Sequence, residues 1–343
     1  MKKSILFVSL IAFSVQLFAW VPDIPAPTLS SGCFRIVGAN VQNYLSDFKA
    51  QNASCSSQDA FDTKTENMAT VFVHLKADIV ALCEVQQDDE ILSYLVDAMN
   101  NLYGKNVYDY VLDGTHYNNP AAGSYGSIKC GYIYRFDKFK EGKRSSTNPS
   151  DATFKNRMQV IDFTEKATNE KFILSLNHLQ AKNSDPSGAK RNSQATTLVT
   201  ALLKDFGDPD ILIVGDLNAD TDEACIQTII DAGYEEQLVR FDPTAYSYVY
   251  YGSKQLIDHA LANNSMAEQV KAATPYHFNT SYSSRRFSDH DCIVVDVKLG
   301  DGSAIDYVAP DSEAPTRQMI YRNGQLFIQV NEQLFDLTGR RVE

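Results

Sequence analysis

Positive charge is scarce in this 343-residue chain: 31 lysines and arginines face 43 acids, for a formal charge of −12. That balance excludes a protein whose whole purpose is to hold a polyanion electrostatically, since such binding needs clustered cations that displace counterions. An enzyme that meets a polyanion briefly, and offsets its own carboxylates with bound cations, stays open. There is one tryptophan, Trp20, and beyond the first twenty residues no stretch is long and apolar enough to span a bilayer. No internal repeat of useful period occurs. What is present is ordinary for a soluble globular chain, 44% hydrophobic and 22% charged, with length for one large domain or two smaller ones.

The opening MKKSILFVSLIAFSVQLFA has two lysines, an apolar run and a small residue at Ala19, the pattern of a secretory signal peptide. We expect residues 1–19 to be removed, a linker over 20–32, and a secreted product, extracellular, surface-held or periplasmic. Loss of Lys2 and Lys3 would take the formal charge from −12 to −14. LSSGC at 29–33 looks like a lipoprotein box but lies too far beyond the apolar run. All six cysteines (33, 55, 83, 130, 225 and 292) are in the mature chain, where export permits disulfides. Cys83 and Cys292 sit in aliphatic runs that suit a buried thiol equally well, and the sequence does not choose among the pairings.

Strand-like segments read at 34–41, 78–85, 108–114, 127–135, 158–163, 171–179, 210–218, 257–263 and 292–299. Helical spacing reads at roughly 62–76, 89–102, 188–206 and 222–232. It is clearest where Ala195, Leu198, Val199, Leu202, Leu203 and Phe206 would bury one stripe. Many strands with few helices predict an α+β fold: a two-sheet β-sandwich flanked by helices, with the main domain over 33–299. A Gly, Ser and Pro-rich linker (300–318) and a short β tail (319–343) around an Asn-Gly turn would follow. The tail resembles C-terminal tails of secreted Bacteroidetes proteins, which implies contact with secretion or surface-sorting machinery; a docked or frayed hairpin is the alternative.

The aliphatic runs break on polar residues: Asn40, Glu84, Asn177 with His178, Asp216 with Asn218, Asp258, and Asp289 with His290. One such residue is usually a cap or an Asx turn. Six, at strand ends that can share one rim, look like a site. Asp216 and Asn218 would face the same way if strand alternation continued past Asp216. Hard oxygen ligands from Glu84, Asn40 and Asp289 suit Mg²⁺, with Mn²⁺ or Ca²⁺ as alternatives. Histidines beside carboxylates can hold phosphate oxygens and move protons.

In order, GAN (Asn40), CEVQ (Glu84), NHL (His178), GDLN (Asp216, Asn218), ID (Asp258) and SDH (Asp289, His290) resemble the signature of the endonuclease/exonuclease/phosphatase superfamily. The residues between them, over about 34–298, are most similar to secreted bacterial extracellular nucleases, which are deoxyribonuclease-like. The resemblance implies a four-layer sandwich. It also implies a divalent metal held by Glu84 with Asn40 and Asp289, and phosphoryl oxygens held by His178, Asn218 and His290. Asp258 would orient His290, and Asp216 would align or deprotonate the attacking water. Contacts to flanking phosphates would come from Arg157, Lys182, Arg191, Arg285 and Arg286, with Arg135 a further candidate; Gln180 stands where the subgroup often has lysine. The substrate would be nucleic acid, DNA before RNA, and the enzyme a monomer. A sphingomyelinase-like phospholipase is the alternative, although no exposed aromatic hairpin is evident in the sequence, and a noncatalytic binding module is a third. The tyrosines of 246–251 read first as a strand and second as a stacking platform.

Overall fold

The computed structural model describes residues 20–112, 126–144, 158–206 and 209–300, and the tail strands in outline. The expected signal segment 1–19 and Arg157 lie outside these residues. The chain divides into two compact units, Met1–Gly302 and Ser303–Glu343.

In chain order the first unit comprises β1 (Phe34–Tyr44), α1 (Gln58–His74), β2 (Ile79–Gln86), α2 (Ile91–Tyr103), β3 (Tyr108–Tyr110), β4 (Ile128–Arg135), β5 (Phe139–Arg144), β6 (Met158–Glu165), β7 (Lys171–Asn177), α3 (Ala189–Phe206) and β8 (Ile211–Asp216). It continues with α4 (Ala224–Asp231), β9 (Tyr234–Glu236), α5 (Gln237–Phe241), β10 (Tyr248–Tyr250), β11 (Ser253–Gln255), β12 (Asp258–Asn263), α6 (Asn264–Gln269), β13 (Val270–Tyr276) and β14 (Cys292–Val297). The second unit is an antiparallel sheet of β15 (Arg317–Arg322), β16 (Gln325–Val330), β17 (Gln333–Phe335) and β18 (Arg341–Val342).

Two six-stranded sheets, ordered β13-β14-β1-β2-β4-β3 and β5-β6-β7-β8-β12-β9, form the sandwich. Their facing sides share one core, which includes Ile36, Ala81, Leu174, Val214, Ala260 and Ile293. A second core lies where Phe61, Met68 and Phe72 of α1 and Leu92 and Leu95 of α2 cover the first sheet. A third lies where Ala195 and Leu198 of α3 and Ile226 and Ile229 of α4 cover the second. Helix, sheet, sheet, helix is the expected four-layer α+β sandwich.

Strands buried on both faces give aliphatic runs, which is why β1, β2, β7, β8 and β14 are legible. Among the strands of the two six-stranded sheets, the sequence reading missed β5, β9 and β13. All three are at a sheet edge, and β5 is largely polar while β13 carries Pro275, as edge strands tolerate. The segment 20–32, expected as a linker, has residues in contact with the domain. Trp20, Ile24 and Ala26 pack on the second core, and the Tyr276 hydroxyl donates to the Ile24 carbonyl at 2.5 Å. No disulfide joins the six cysteines, five of which are buried.

Two parallel pairs place the site. β1 and β2 run parallel across α1, and β7 and β8 run parallel across α3, so the C-terminal ends of each pair emerge together. β12 is antiparallel to β8 and starts at their rim, with Asp258 opposite Asp216. β14 is antiparallel to β1, so the residues just before it reach the same rim. The strands are in close contact at Gly215: its φ is +129°, and a Cβ there would stand 2.1 Å from the Asn177 carbonyl oxygen.

Candidate active site

At the end of β1 the chain leaves strand geometry: Gln42 and Asn43 have φ of +49° and +50°. The Asn40 side-chain oxygen accepts the Gln42 N–H at 2.8 Å, so the amide is fixed. Its Nδ2 then donates both to Glu84 Oε1 (3.0 Å) and to Asp216 Oδ2 (2.9 Å). Glu84 occupies an irregularity between Leu82 and Val85 with φ +67°, a conformation unusual for a non-glycine residue. Its second oxygen accepts the Asn43 N–H at 2.9 Å. Strained backbone thus aims this carboxylate, at an expected cost of ~1–3 kcal/mol that the surrounding packing must offset.

β8 ends at Asp216, whose Oδ1 accepts the Asn218 N–H at 2.9 Å while Asn218 sits at φ +51°. The Asx turn and the site are therefore one object, and strand alternation is not what presents Asn218. Its amide donates to the Leu179 carbonyl at 3.2 Å, beside His178. His178 Nε2 lies 3.6 Å from both Glu84 and Asp216. His290 Nδ1 is 2.8 Å from Asp258 Oδ2, and its Nε2 is 3.9 Å from Asp216. Asp289 is half-buried and stands outside the two tight carboxylate–histidine groups, Glu84–His178–Asp216 and Asp216–Asp258–His290.

Burial is the main force raising the Asp216 carboxyl, to about 7, with Asp258 and Glu84 adding to it and His290 opposing. For His290 burial disfavours the charge, but Asp258 and Asp216 outweigh it and hold the imidazole well above its ordinary value. Three carboxylates crowded in a mostly buried rim fit a divalent cation, whose charge would relieve their repulsion. Glu84 is the best-presented ligand, with Asn40 oriented beside it.

The flanking-phosphate residues separate on inspection. Arg191 is buried, donates to the Asp185 carbonyl and pairs with Glu223 at 3.0 Å, so its guanidinium braces the start of α3 and has no free face for substrate. Lys182 is held between Asp220 (2.8 Å) and Glu223 (2.7 Å). Arg135 is bound to Asp137, opposite the start of β2 and so at the end away from Glu84. Arg285 and Arg286 are exposed, with guanidinium groups over the Trp20 and Tyr282 rings. That exposure leaves them the best placed for a polyanion among the described members of the set.

Ser247 and Lys64 had no sequence signal, and Tyr248 had only the second reading of its tyrosine run. Ser247 Oγ accepts the N–H groups of Ile257 and Asp258, and its carbonyl accepts from Asp291, which ties both sides of the His290–Asp258 pair. Tyr248 lies with its ring 4.7 Å from that of His290. Lys64 of α1 is buried and donates to the Gln42 carbonyl (2.9 Å) and Ser54 Oγ (2.8 Å), holding the left-handed turn that anchors Glu84. Burial pulls its ammonium down to about 8, against the raising influence of Cys55, Glu84 and Asp289. In the unfolded chain the same group keeps its usual 10.5. Between those values the unfolded state binds the extra proton, so folding is favoured as pH rises through that window. Compared with Lys64→Met, wild-type stability should therefore gain about 3 kcal/mol from about pH 7.5 to 10.5. Urea denaturation of both proteins reads the difference, and a pH-independent gap would refute it.

The endonuclease/exonuclease/phosphatase family model matches residues 41–290. No curated protein matches the chain in sequence. Among solved structures, an endonuclease/exonuclease/phosphatase from Bacteroides vulgatus superposes with a TM-score of 0.55 at 14% identity, covering 78% of this chain and 99% of its own. A mannosyl-6-phosphatase from Bacteroides thetaiotaomicron gives 0.53 at 18%, covering 76% and 98%. The D. rerio TDP2 complex with a single-strand DNA product gives 0.52 at 15%, covering 77% and 99%. At these identities the likeness is one of fold.

Proposed function

The chain belongs to the endonuclease/exonuclease/phosphatase family, hydrolases of phosphoester bonds, and from this we propose a secreted, metal-dependent nuclease that hydrolyses DNA phosphodiesters by in-line water attack. The observation that carries the reading is the convergence at one rim of Asn40, Glu84, His178, Asp216, Asn218, Asp258 and His290, with His290 already paired to Asp258 at 2.8 Å.

The family's enzymes use a divalent metal, which when bound polarises the phosphoryl group and offsets developing charge. Glu84 would hold it and Asp289 would stand near, while Asn40, expected as a ligand, turns its Nδ2 to Glu84 and Asp216 and so would orient those carboxylates. The remaining steps belong to the side chains. Asp258 keeps His290 charged and oriented, so its Nε2–H can donate to a nonbridging oxygen. His178, 3.6 Å from both Glu84 and Asp216, and Asn218, in the turn just beyond Asp216, would hold further oxygens. Asp216 can align a water and accept its proton.

DNA is favoured by the similarity to extracellular nucleases and by exposed Arg285 and Arg286, and the single-strand DNA product held by the TDP2 structure is consistent with such a rim. Export rests on the signal-like N-terminus, and contact with sorting machinery rests on the tail. No helix among the described residues is long and apolar enough to cross a membrane. One observation favours the phospholipase reading more than the sequence did: β10 and β11 form a hairpin whose Tyr250 and Tyr251 are exposed.

Incubation with plasmid DNA, RNA, sphingomyelin vesicles and mannose 6-phosphate, with and without Mg²⁺, separates these readings. Metal-dependent DNA cleavage is expected to be fastest. Arg285→Gln with Arg286→Gln should weaken DNA binding and flatten its salt dependence by roughly one counterion for each arginine replaced. Faster turnover of sphingomyelin or the sugar phosphate, with an unchanged salt slope, would replace the nuclease by that activity.

A further inference from the structure

The β10–β11 hairpin is fixed to the catalytic rim at its base and bare at its tip. Ser247, just before β10, binds the Asp258 N–H and the Asp291 N–H, and Tyr248 forms an isolated bridge with His290. From there the ring planes step outward: Tyr248 lies 4.7 Å from the His290 ring, and Tyr250 lies 6.4 Å further on with planes only 17° apart. Tyr251 meets the edge of Tyr250 at 4.6 Å and 76°. Tyr250 is 52% exposed and Tyr251 94%, so these rings do little for folding.

The turn makes the tyrosines more unexpected. Tyr250 pairs with Ser253 across the two-residue loop Tyr251–Gly252, whose φ values are +46° and +83°. A loop with both residues left-handed favours Asn-Gly or Gly-Gly, and a bulky aromatic at its first position works against the backbone. The chain keeps a tyrosine where a smaller residue would cost less.

Building on the nuclease reading, we propose that Tyr248 and Tyr250 form a base-stacking subsite for the nucleotide adjoining the scissile phosphate. A phosphate held by His290 leaves its neighbouring substituent beside Tyr248 and facing Tyr250. Flat π-faces with hydroxyl edges suit a planar, polar-edged nucleobase, and a sugar phosphate offers them nothing equivalent. The hairpin fits a lipid surface less well: beyond its tyrosines it offers Val249, Gly252, Ser253, Lys254 and Gln255, a single half-buried aliphatic side chain and no tryptophan to enter hydrocarbon. Such stacking is sequence-tolerant, so the subsite should recognise that a base is present and not which base.

The test compares two oligomers of equal length on the full chain, one bearing bases and one built wholly of abasic residues, so that phosphate number is constant. Wild type should show a KM lower by about 5- to 150-fold for the base-bearing oligomer. Tyr250→Ala should abolish that gap while leaving kcat on the abasic oligomer unchanged, and Tyr250→Phe, which keeps the ring, should retain it. An equal rise in KM on both oligomers would overturn the subsite, as would equal wild-type KM values. Loss of sphingomyelin-vesicle binding in Tyr250→Ala, with oligomer kinetics untouched, would assign the hairpin to a lipid surface. Hydrolysis of neither oligomer by wild type would sink the nuclease reading itself, a result distinct from cleavage that ignores the bases.

Discussion

Glu84→Gln is expected to fold like wild type and to lose activity by at least about 100-fold at every Mg²⁺ concentration. The amide matches the carboxylate in shape, so the left-handed backbone at φ +67° is asked to do nothing new. What disappears is the charge that a hard cation needs, and one contact reverses: an amide NH₂ placed toward the Asn43 N–H or the Asn40 Nδ2 is donor against donor. Removing one of three crowded carboxylates also relieves repulsion. Without metal the variant should therefore melt no lower than wild type, while the stabilisation that Mg²⁺ gives wild type should vanish. Calorimetric Mg²⁺ titration and thermal melts with and without the ion measure both halves. Wild-type rates across the Mg²⁺ range in a folded Gln variant would remove Glu84 from the metal site.

The second large effect lies in the His290–Asp258 pair. Asp258→Asn and His290→Ala should each lower kcat by about 100- to 10,000-fold, and the double variant should be little worse than the poorer single. The two side chains act as a unit because the 2.8 Å contact sets both the ring orientation and its charge. Burial opposes that charge, and Asp258 is foremost among the groups that sustain it. Asp258→Asn should thus also move the basic limb of the pH–rate profile to lower pH, a shift that a change in packing by itself would not produce. Multiplicative effects in the cycle, or an unmoved basic limb, would show that the residues work separately.

The sequence alone determined the layers and offered the residues that end their strands as candidates for the rim. Strands such as β2 and β8 are buried on both faces, so they are written as unbroken aliphatic runs, and the polar residue that ends each run stands out against them. Asn40, Glu84, His178, Asp216, Asp258 and His290 were legible for that reason, and their order identified the family. Only the tertiary structure decided how those residues are used and which neighbours join them. Whether a cation is free depends on carboxylates distant in sequence: Arg191 is spent on Glu223, 32 residues away, and Lys182 on Asp220, 38 away. Lys64 looks like any helical lysine until α1 packs and its ammonium meets the Gln42 carbonyl. The tyrosines of β10 read as half-buried strand until the hairpin is seen to lean on His290 and leave its tip in water. Local periodicity records which face of a segment is buried, whereas pairing, strain and exposure at a rim arise when segments far apart in the chain are brought together.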